Sequence, residues 1–241
     1  MNHRWIALLA ALGCAGSDTK RDTASEAGPQ VTLEGQITNL LTAAGERNVE
    51  ICVEGTGDCA ISDANGSYRV LADAEAEVQL VVTLDAHRAL LVPVQTGSDD
   101  APLRPLSLLP EALVDAQAGA VGATGDPALG QVVFSVSNGI AGDGINIADV
   151  VATMEPESGV GAFYLGSSGL PDTALEATSS NGGGGWLDVN PGDAALRFGN
   201  LPAGCVPLYG WAGPDPLRFS VRASHATVLR IECAEAQATG R

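Results

Sequence analysis

The sequence predicts an all-β protein made of two tandem antiparallel β-sandwich domains joined by a short helix or linker. Apolar and polar residues alternate with a period of two in several short runs, as expected for strands with one buried and one solvated face. Strings rich in Gly, Asp and Asn separate these runs and mark turns. The length of 241 residues allows one or two such domains.

The predicted strands fall into two groups along the chain. We expect strands within 31–38, 49–54 and 78–84 in the first half, and within 132–136 and 217–222 in the second half. The predicted segments are a signal peptide (1–13), a lipidated flexible tether (14–30), a first β-sandwich (31–98), a linker with a short helix (99–128), a second, divergent β-sandwich (129–234) and a tail (235–241).

The N-terminal residues MNHRWIALLAALGCAG have the features of a secretory signal. Arg4 gives a positive start, residues 5–12 are apolar, and small residues follow. The string 11–14 resembles a bacterial lipobox, which implies cleavage before Cys14 and lipid modification of that cysteine. Ala15 after the cysteine implies the outer membrane of a Gram-negative cell. The alternative is ordinary secretory cleavage nearby, which gives a secreted protein.

The remaining four cysteines predict two structural disulfides. An even number of cysteines in an oxidising compartment favours pairing, and the simplest pairs are Cys52 with Cys59 and Cys205 with Cys233, one in each domain. Metal binding is the weaker alternative, because the chain has no C-x-x-C motif and few histidines. The sequence therefore predicts no metal site and no cofactor.

Residues 110–121 predict the one helix. Pro110 suits a helix start, Glu111 would lie in the first turn, and the stretch is rich in alanine. An Ala/Gly linker without fixed structure is the alternative.

Residues 34–98 resemble a carboxypeptidase regulatory-like domain, a β-sandwich of the transthyretin (prealbumin) type. The matching strings are Gly-Gln-Ile at 35–37, Val-Glu-Ile-Cys-Val at 49–53 and Ser-Asp-Ala-Asn-Gly-Ser-Tyr at 62–68. In the last string Asp63 and Asn65 can bond their own turn backbone and Gly66 accepts a positive φ. A calcium loop beginning at Asp63 fails, because its twelfth position is Ala74 rather than Glu.

Residues 129–234 resemble a divergent second copy of the same domain. We align 130–132 with 35–37, 148–152 with 49–53, and 185–192 with the segment that begins at Gly66. In this alignment the second copy lacks the D-x-N-G turn, and the glycine run 182–185 is expected to be a flexible turn before a strand. The resemblance implies a bacterial lipoprotein built from these domains.

Charge and composition limit the function classes. The net charge is −17, and this argues against nucleic-acid binding, which requires clustered Lys and Arg. Only 4% of residues are aromatic, so few can form a binding surface. Trp211 and its neighbour Tyr209, in a Gly/Pro-rich string, are the predicted binding residues.

No catalytic residues are predicted. The expected function is a non-catalytic cell-envelope lipoprotein with a structural or ligand-binding role, held at the membrane by its lipid and meeting an unknown envelope protein or glycan. The first alternative is a glycan- or peptide-binding adhesion module. The second is a metal-dependent enzyme, because similar sandwiches in intradiol dioxygenases hold iron through two Tyr and two His; the side chains that would serve are Tyr68, Tyr164, Tyr209, His87 and His225.

Overall fold

The computed structural model describes residues 28–138, 145–211, 213 and 215–234, and it confirms the all-β class. One helix lies between two groups of strands in the described residues. The first group is β1 (Gln30–Asn39), β2 (Glu50–Val53), β3 (Cys59–Ile61), β4 (Ser67–Asp73), β5 (Glu77–Thr83), β6 (His87–Gln95), β7 (Ala101–Pro102) and β8 (Leu106–Pro110). Helix α1 (Glu111–Val121) follows. The second group is β9 (Gly130–Asn138), β10 (Val151–Glu155), β11 (Val160–Leu165), β12 (Pro171–Asp172), β13 (Gly183–Val189), β14 (Gly192–Gly199), β15 (Cys205–Tyr209), β16 (Leu217–Val221) and β17 (His225–Cys233).

The first sandwich packs two sheets around an aliphatic core. In one sheet β1 pairs with β4 antiparallel and with β7 and β8 parallel. The other sheet is antiparallel, in the order β6-β5-β2-β3. Alternate residues of both sheets point inward and are fully buried, among them Leu33, Ile37, Ile51, Leu80 and Leu90.

The second sandwich has the same two-layer plan with a more aromatic core. Its larger sheet runs β12-β11-β13-β9-β17, with β15 also paired to β17, and its smaller sheet runs β10-β14-β16. Phe134 lies at the centre of the core, and its ring centroid is 5.6 to 6.3 Å from those of Tyr164, Trp186 and Phe198.

The two sandwiches are not separate units on a linker, because they share a sheet. Residues 225–227 of β17 pair in parallel with residues 89–91 of β6, so a continuous sheet crosses from one sandwich to the other. The first sandwich also extends beyond the predicted boundary at residue 98. Strands β7 and β8 lie in the predicted linker and pair with β1, and the alternating side chains Leu106 and Leu108 are buried in the first core.

Matching main-chain hydrogen bonds show that the second sandwich repeats the first. The Ile37 amide donates to the Gly66 carbonyl at 2.8 Å, and the Val136 amide donates to the Gly182 carbonyl at the same distance. Both glycines have a positive φ, of 80° and 61°. Position 37 therefore corresponds to 136, and position 66 to 182.

A buried hydroxyl has the same contacts in both copies. The Val49 amide donates to Ser62 Oγ at 3.0 Å, and the Val150 amide donates to Thr178 Oγ1 at 3.0 Å. Each hydroxyl in turn donates to a main-chain carbonyl, at 2.7 and 2.8 Å. These equivalences correct the predicted alignment. Residues 134–136, and not 130–132, correspond to 35–37, and residues 150–154, and not 148–152, correspond to 49–53. The segment that corresponds to Gly66 onward begins at residue 182, and not at 185.

The second copy retains the turn that the sequence alignment missed. Asp63 Oδ1 accepts the Asn65 amide at 2.8 Å, as predicted, and Ser179 Oγ accepts the Asn181 amide at 3.1 Å in the equivalent turn. A serine hydroxyl thus replaces the aspartate carboxylate, as it does in other short polar turns. The connection between β10 and β13 carries β11 and β12, whereas the equivalent connection of the first copy, between β2 and β4, carries only the short strand β3.

The predicted flexible turn at 182–185 is wrong for three of its four glycines. Gly182 is in the turn, but Gly183, Gly184 and Gly185 are buried in β13 between β9 and β11. A Cβ on Gly184 would lie 2.8 Å from the ring of Phe134 and 2.5 Å from the carbonyl oxygen of Phe163. These glycines allow close packing within a sheet.

Both predicted disulfides are present. Cys52–Cys59 joins β2 to β3, and Cys205–Cys233 joins β15 to β17. Within the described part of the chain, no helix has the length and apolar character needed to cross a membrane.

Candidate binding groove

The outer faces of the two sandwiches differ at equivalent positions. In the first copy Glu34 of β1 and Arg69 of β4 are cross-strand partners and form an exposed ion pair at 2.9 Å. The equivalent partners in the second copy are Val133 of β9 and Gly185 of β13. A charged pair is therefore replaced by an apolar residue and a residue without a side chain.

The absence of a side chain at Gly185 lets an aromatic ring cover the sheet. A Cβ there would lie 3.1 Å from the ring of Phe163 and 2.2 Å from the carbonyl oxygen of Val132. The same face buries Leu187, which is 2% exposed, whereas its first-copy equivalent Leu71 is 46% exposed. The second copy thus has an apolar outer face in addition to its core.

Helix α1 packs on this outer face, near β11 and β12. The prediction of a helix over 110–121 is confirmed: Pro110 precedes it with φ −57°, Glu111 is in the first turn, and Gly122 ends it in the left-handed region. Its Val114 and Ala118 are buried in the cluster that includes the first core. The Gln131 side-chain amide donates to Gln117 Oε1 at 3.2 Å, which joins β9 to the helix.

The part of the face that α1 leaves open is a groove of about 450 Å³. Its rim carries exposed leucines from both copies: Leu40 is 42% exposed, Leu41 is 77% exposed and Leu170 is 38% exposed. None of its lining residues is charged. They are Leu40, Leu41, Leu109, Leu113, Gln117, Val133, Phe134, Ser135, Phe163, Leu165, Ser168, Gly169, Leu170, Asn181, Gly184, Val228 and Leu229.

Sequence reasoning missed this groove, although one signal was present. The run Val132–Val133–Phe134 is apolar on both faces of a strand, and a strand with one wet face would have a polar residue at 133. The pattern indicates a second buried face, but it does not show what lies on it.

Tyr209, one of the two predicted binding residues, lies in the junction between the sandwiches. It is 1% exposed, and its hydroxyl donates to the Arg104 carbonyl at 2.6 Å. Burial raises the pKa of this hydroxyl, with a further contribution from Tyr68. Its ring has no free surface, because β15 continues beside β6: the Gly210 amide donates to the Pro93 carbonyl at 2.8 Å.

An ion pair that is largely removed from solvent links the two sandwiches at the same junction. Arg104 Nε and Nη2 each lie 3.0 Å from a carboxylate oxygen of Glu232, whose side chain is 8% exposed. Arg230 lies 3.3 Å from one of these oxygens. A planar guanidinium that binds both carboxylate oxygens fixes the relative orientation of its two elements.

Trp211, the other predicted binding residue, is partly exposed at the edge of the junction. Its indole Nε1 donates to the Val78 carbonyl of the first sandwich at 3.1 Å. The ring lines a polar pocket of about 350 Å³ together with Glu77, Asp193 and Arg218, among others. Its role in binding stays a prediction.

Four of the side chains considered for an iron site have polar partners within the protein, and the fifth, Tyr68, has a buried hydroxyl without one among the described residues. The Tyr164 hydroxyl accepts the Ala152 amide at 3.0 Å inside the second core, and Tyr68 is buried in the first core. His87 and His225 each contact a nearby main-chain carbonyl, at 3.0 and 2.7 Å.

One group of potential metal ligands occurs in the described residues. The ligand atoms of Glu50, Cys52 and Cys59 lie within 4.8 Å of one another. The two sulfurs form the disulfide and are not the thiolates that bind metals. Cys14, the predicted lipid site, lies outside the described residues.

A carboxylate ties the segment after α1 to the second sandwich. Asp188 accepts the amides of Thr124, Gly125 and Asp126, at 2.6 to 3.2 Å, and the Thr124 hydroxyl at 2.8 Å. Desolvation acts to raise the pKa of Asp188, but these hydrogen bonds outweigh it, and the pKa lies below its usual value.

Comparison with known proteins gives structural neighbours only. No protein-family model matches the chain, and no curated protein matches it. The minor pilin GBS52 of Streptococcus agalactiae is 11% identical with a TM-score of 0.33, over 88% of this chain and 98% of the pilin. The shaft pilin SpaA of Lactobacillus rhamnosus GG is 7% identical with a TM-score of 0.26, over 85% and 97%. A chain of a type II cohesin–X-dockerin complex of Acetivibrio cellulolyticus is 18% identical with a TM-score of 0.30, over 44% and 76%. At these scores the likeness says nothing about what this chain binds.

Proposed function

We propose that this protein is a non-catalytic lipoprotein of the cell envelope, in which two joined β-sandwiches form one rigid structural and binding body on a lipid anchor at Cys14. The proposal includes cleavage before Cys14, a polar tether over 14–30, and attachment to the outer membrane.

The observation that carries this proposal is the junction between the sandwiches. Two domains on a flexible linker would reorient freely, whereas here β6 and β17 pair directly and Arg104 binds Glu232 with both nitrogens. The Tyr209 hydroxyl bond adds a third constraint. A body of fixed shape suits a structural element or a binding platform.

The two disulfides support an extracytoplasmic location. Disulfides form and persist in oxidising compartments, such as the periplasm and the cell surface, and are rare in the cytosol. A secretory signal and two disulfides are therefore mutually consistent.

Labelling cells with radioactive palmitate tests the anchor. We expect label on the wild-type protein and none on Cys14→Ser, which should then appear in the soluble fraction. An unlabelled wild-type protein, or label that persists in Cys14→Ser, would contradict the proposal.

Small-angle scattering tests the rigid body. We expect the wild type to scatter as one compact body and Arg104→Ala to be more extended, since this substitution leaves Glu232 without its bidentate partner. Arg69→Ala is the matched control, because its ion pair with Glu34 is exposed and lies away from the junction. Equal scattering of all three proteins would show that the ion pair does not hold the junction.

A second candidate function, glycan or peptide binding, rests on Trp211. An aromatic ring beside carboxylates in a pocket of about 350 Å³ offers both a stacking face and hydrogen-bond acceptors. A glycan array probed with the wild type and with Trp211→Ala tests this candidate: a glycan bound only by the wild type supports it, and unaltered binding or no ligand counts against it.

A further inference from the structure

We propose that the groove beside helix α1 binds one acyl chain of the protein's own N-terminal lipid. This inference rests on the proposed lipidation of Cys14 and adds a second site at which that lipid is held. The groove would shelter part of the anchor from water.

The chemistry of the lining fits an aliphatic chain. Leucine and valine side chains, with the ring of Phe163, form most of the surface, and the polar members are uncharged Ser, Asn and Gln. Asn181 Nδ2 donates to the Gly166 carbonyl, and Gln117 Oε1 accepts from the side-chain amide of Gln131. A ligand would therefore be held mainly by apolar contact.

The volume of the groove sets the size of the ligand. A cavity of about 150 Å³ lined by Leu, Ile and Phe holds one benzene ring. By the same proportion, about 450 Å³ holds roughly eighteen carbon atoms. One long acyl chain fits, and a complete di- or triacylated group does not.

The charge of the protein favours a neutral acyl group over a free fatty acid as the ligand of the groove. The chain carries a net charge of −17, and no Lys, Arg or His lines the groove to bind a carboxylate. A fatty acid anion would bring its charge against this field, whereas acyl chains held in ester or amide linkage are neutral. The acyl chains of a lipid-modified N-terminal cysteine are of the neutral kind.

The tether is long enough to bring this lipid to the groove. Residues 15–29 lie between Cys14 and β1, and a fully extended chain of this length spans about 50 Å. The groove begins at Leu40, at the far end of β1, and a strand of this length covers about 33 Å. A tethered ligand also has a high effective concentration, so the groove needs only modest intrinsic affinity.

Photocrosslinking with a tagged acyl chain tests the inference. Cells are fed palmitate that carries a diazirine, the full-length protein is purified after irradiation, and crosslinked peptides are mapped by mass spectrometry. We expect intramolecular crosslinks on the peptides that contain Leu113 and Val133. Incorporation of the tag without crosslinks on these peptides would overturn the inference, and absence of incorporation would overturn the proposed lipidation along with it.

Variants of the groove provide the controls. Val133→Glu introduces a glutamate, the residue type found at the equivalent first-copy position, Glu34. We expect this charge in the groove to lower the crosslink yield about tenfold or more. Ser135→Trp fills the groove with bulk instead of charge and should lower the yield as well. Leu71→Glu changes an exposed leucine outside the groove and should leave it unchanged. Equal yields in all of these proteins, each checked for folding by circular dichroism, would overturn the inference.

The unlipidated protein tests the charge argument. Cys14→Ser should bind a tritium-labelled palmitoyl monoacylglycerol, and bind tritium-labelled palmitate at least about tenfold more weakly. Failure to bind the neutral probe, or equally tight binding of the anionic one, would contradict the assignment.

Discussion

The two sandwiches share a main-chain frame but differ on their outer faces. Ile37 and Val136 make the same hydrogen bonds to glycines of positive φ. Yet Glu34 pairs with Arg69 in water in the first copy, whereas the equivalent Val133 is partly buried against an apolar cluster and lines the groove in the second. The frame depends on turns and main-chain bonds, so the outward side chains of a strand are free to change. In the second copy that freedom produces a groove.

Both copies pack an aromatic ring over a glycine of the neighbouring strand, but the two residues are on opposite strands in the two copies. In the first, Tyr68 of β4 lies over Gly35 of β1, its cross-strand partner. In the second, the aromatic residue is on the other strand: Phe134 of β9 lies over Gly184 of β13. Each pair places one ring and one glycine opposite each other, because a ring that lies flat over the neighbouring strand leaves no room for a Cβ.

Exchanging ring and glycine between strands should distinguish the copies most strongly. We expect Tyr68→Gly and Phe134→Gly each to lower the free energy of unfolding by about 3–5 kcal/mol. Adding Gly35→Tyr to the first should restore much of the loss, because the three atoms nearest to a Cβ there all belong to the tyrosine side chain that has been removed. Adding Gly184→Phe to the second should not, because its Cβ would remain 2.5 Å from the Phe163 carbonyl oxygen. Urea unfolding of the single and double variants measures this, and equal rescue in both copies would contradict it.

Each copy has one disulfide, and the lengths of the closed loops differ. The cysteines are 7 residues apart in Cys52–Cys59 and 28 apart in Cys205–Cys233. Because a crosslink stabilises by restricting the unfolded chain, replacing the longer pair by alanine should cost about 3.6 kcal/mol and the shorter pair about 2.5 kcal/mol. Urea unfolding of the two double variants checks the order, and a larger loss for the shorter loop would reverse this ranking.

The features of this molecule that depend on local sequence pattern were predicted better than those that depend on which strands pair. Alternation located five of the described strands (β1, β2, β5, β9 and β16), Pro110 and Glu111 located the helix start, and the even set of cysteines gave both disulfide pairs. The strands and the helix depend on residues that are close together in the chain. The disulfides depend on cysteines, of which only four are available to pair.

The features that the sequence did not predict depend on which strands become neighbours. Tyr209 stands in a Gly/Pro-rich string typical of a loop, and only the pairing of β17 with β6 places it in a buried junction. The glycines 183–185 look like a turn until β11 and the ring of Phe134 are placed against them. The groove itself needs α1, β9, β11 and the turn after β1 together.

The positive-φ glycines test the frame that the copies share. Gly66→Ala and Gly182→Ala should each destabilise by about 1–3 kcal/mol, because the Cβ atoms would lie 2.1 and 2.4 Å from main-chain oxygens. Gly97→Ala is the matched control: no atom lies within 4 Å of its Cβ, and the change should stay within about 0.5 kcal/mol. Thermal unfolding of the three variants measures this. A neutral effect at either 66 or 182 would show that the frames are not equivalent.

The smallest expected effect concerns a residue that has no counterpart in the first copy. The register of β13 against β9 shifts between Trp186 and Val189, and Asp188 lies in this bulge with φ 54°. Because hydrogen bonds lower the pKa of Asp188 in the folded protein, its ionised form contributes stability above the pKa of the unfolded chain. That contribution is lost as the pH falls through the lower pKa of the folded state.

Since Asp188 is only partly buried, we expect its effect to be less than about 1 kcal/mol. Asp188→Asn should remove it, so the stabilities of variant and wild type should differ at neutral pH and converge in acid. Asp193→Asn is the control, because this carboxylate is exposed and lies outside the bulge. Unfolding curves measured across the acid range decide the point: parallel pH profiles for the wild type and Asp188→Asn would mean that the bulge does not hold the segment after α1 through its charge.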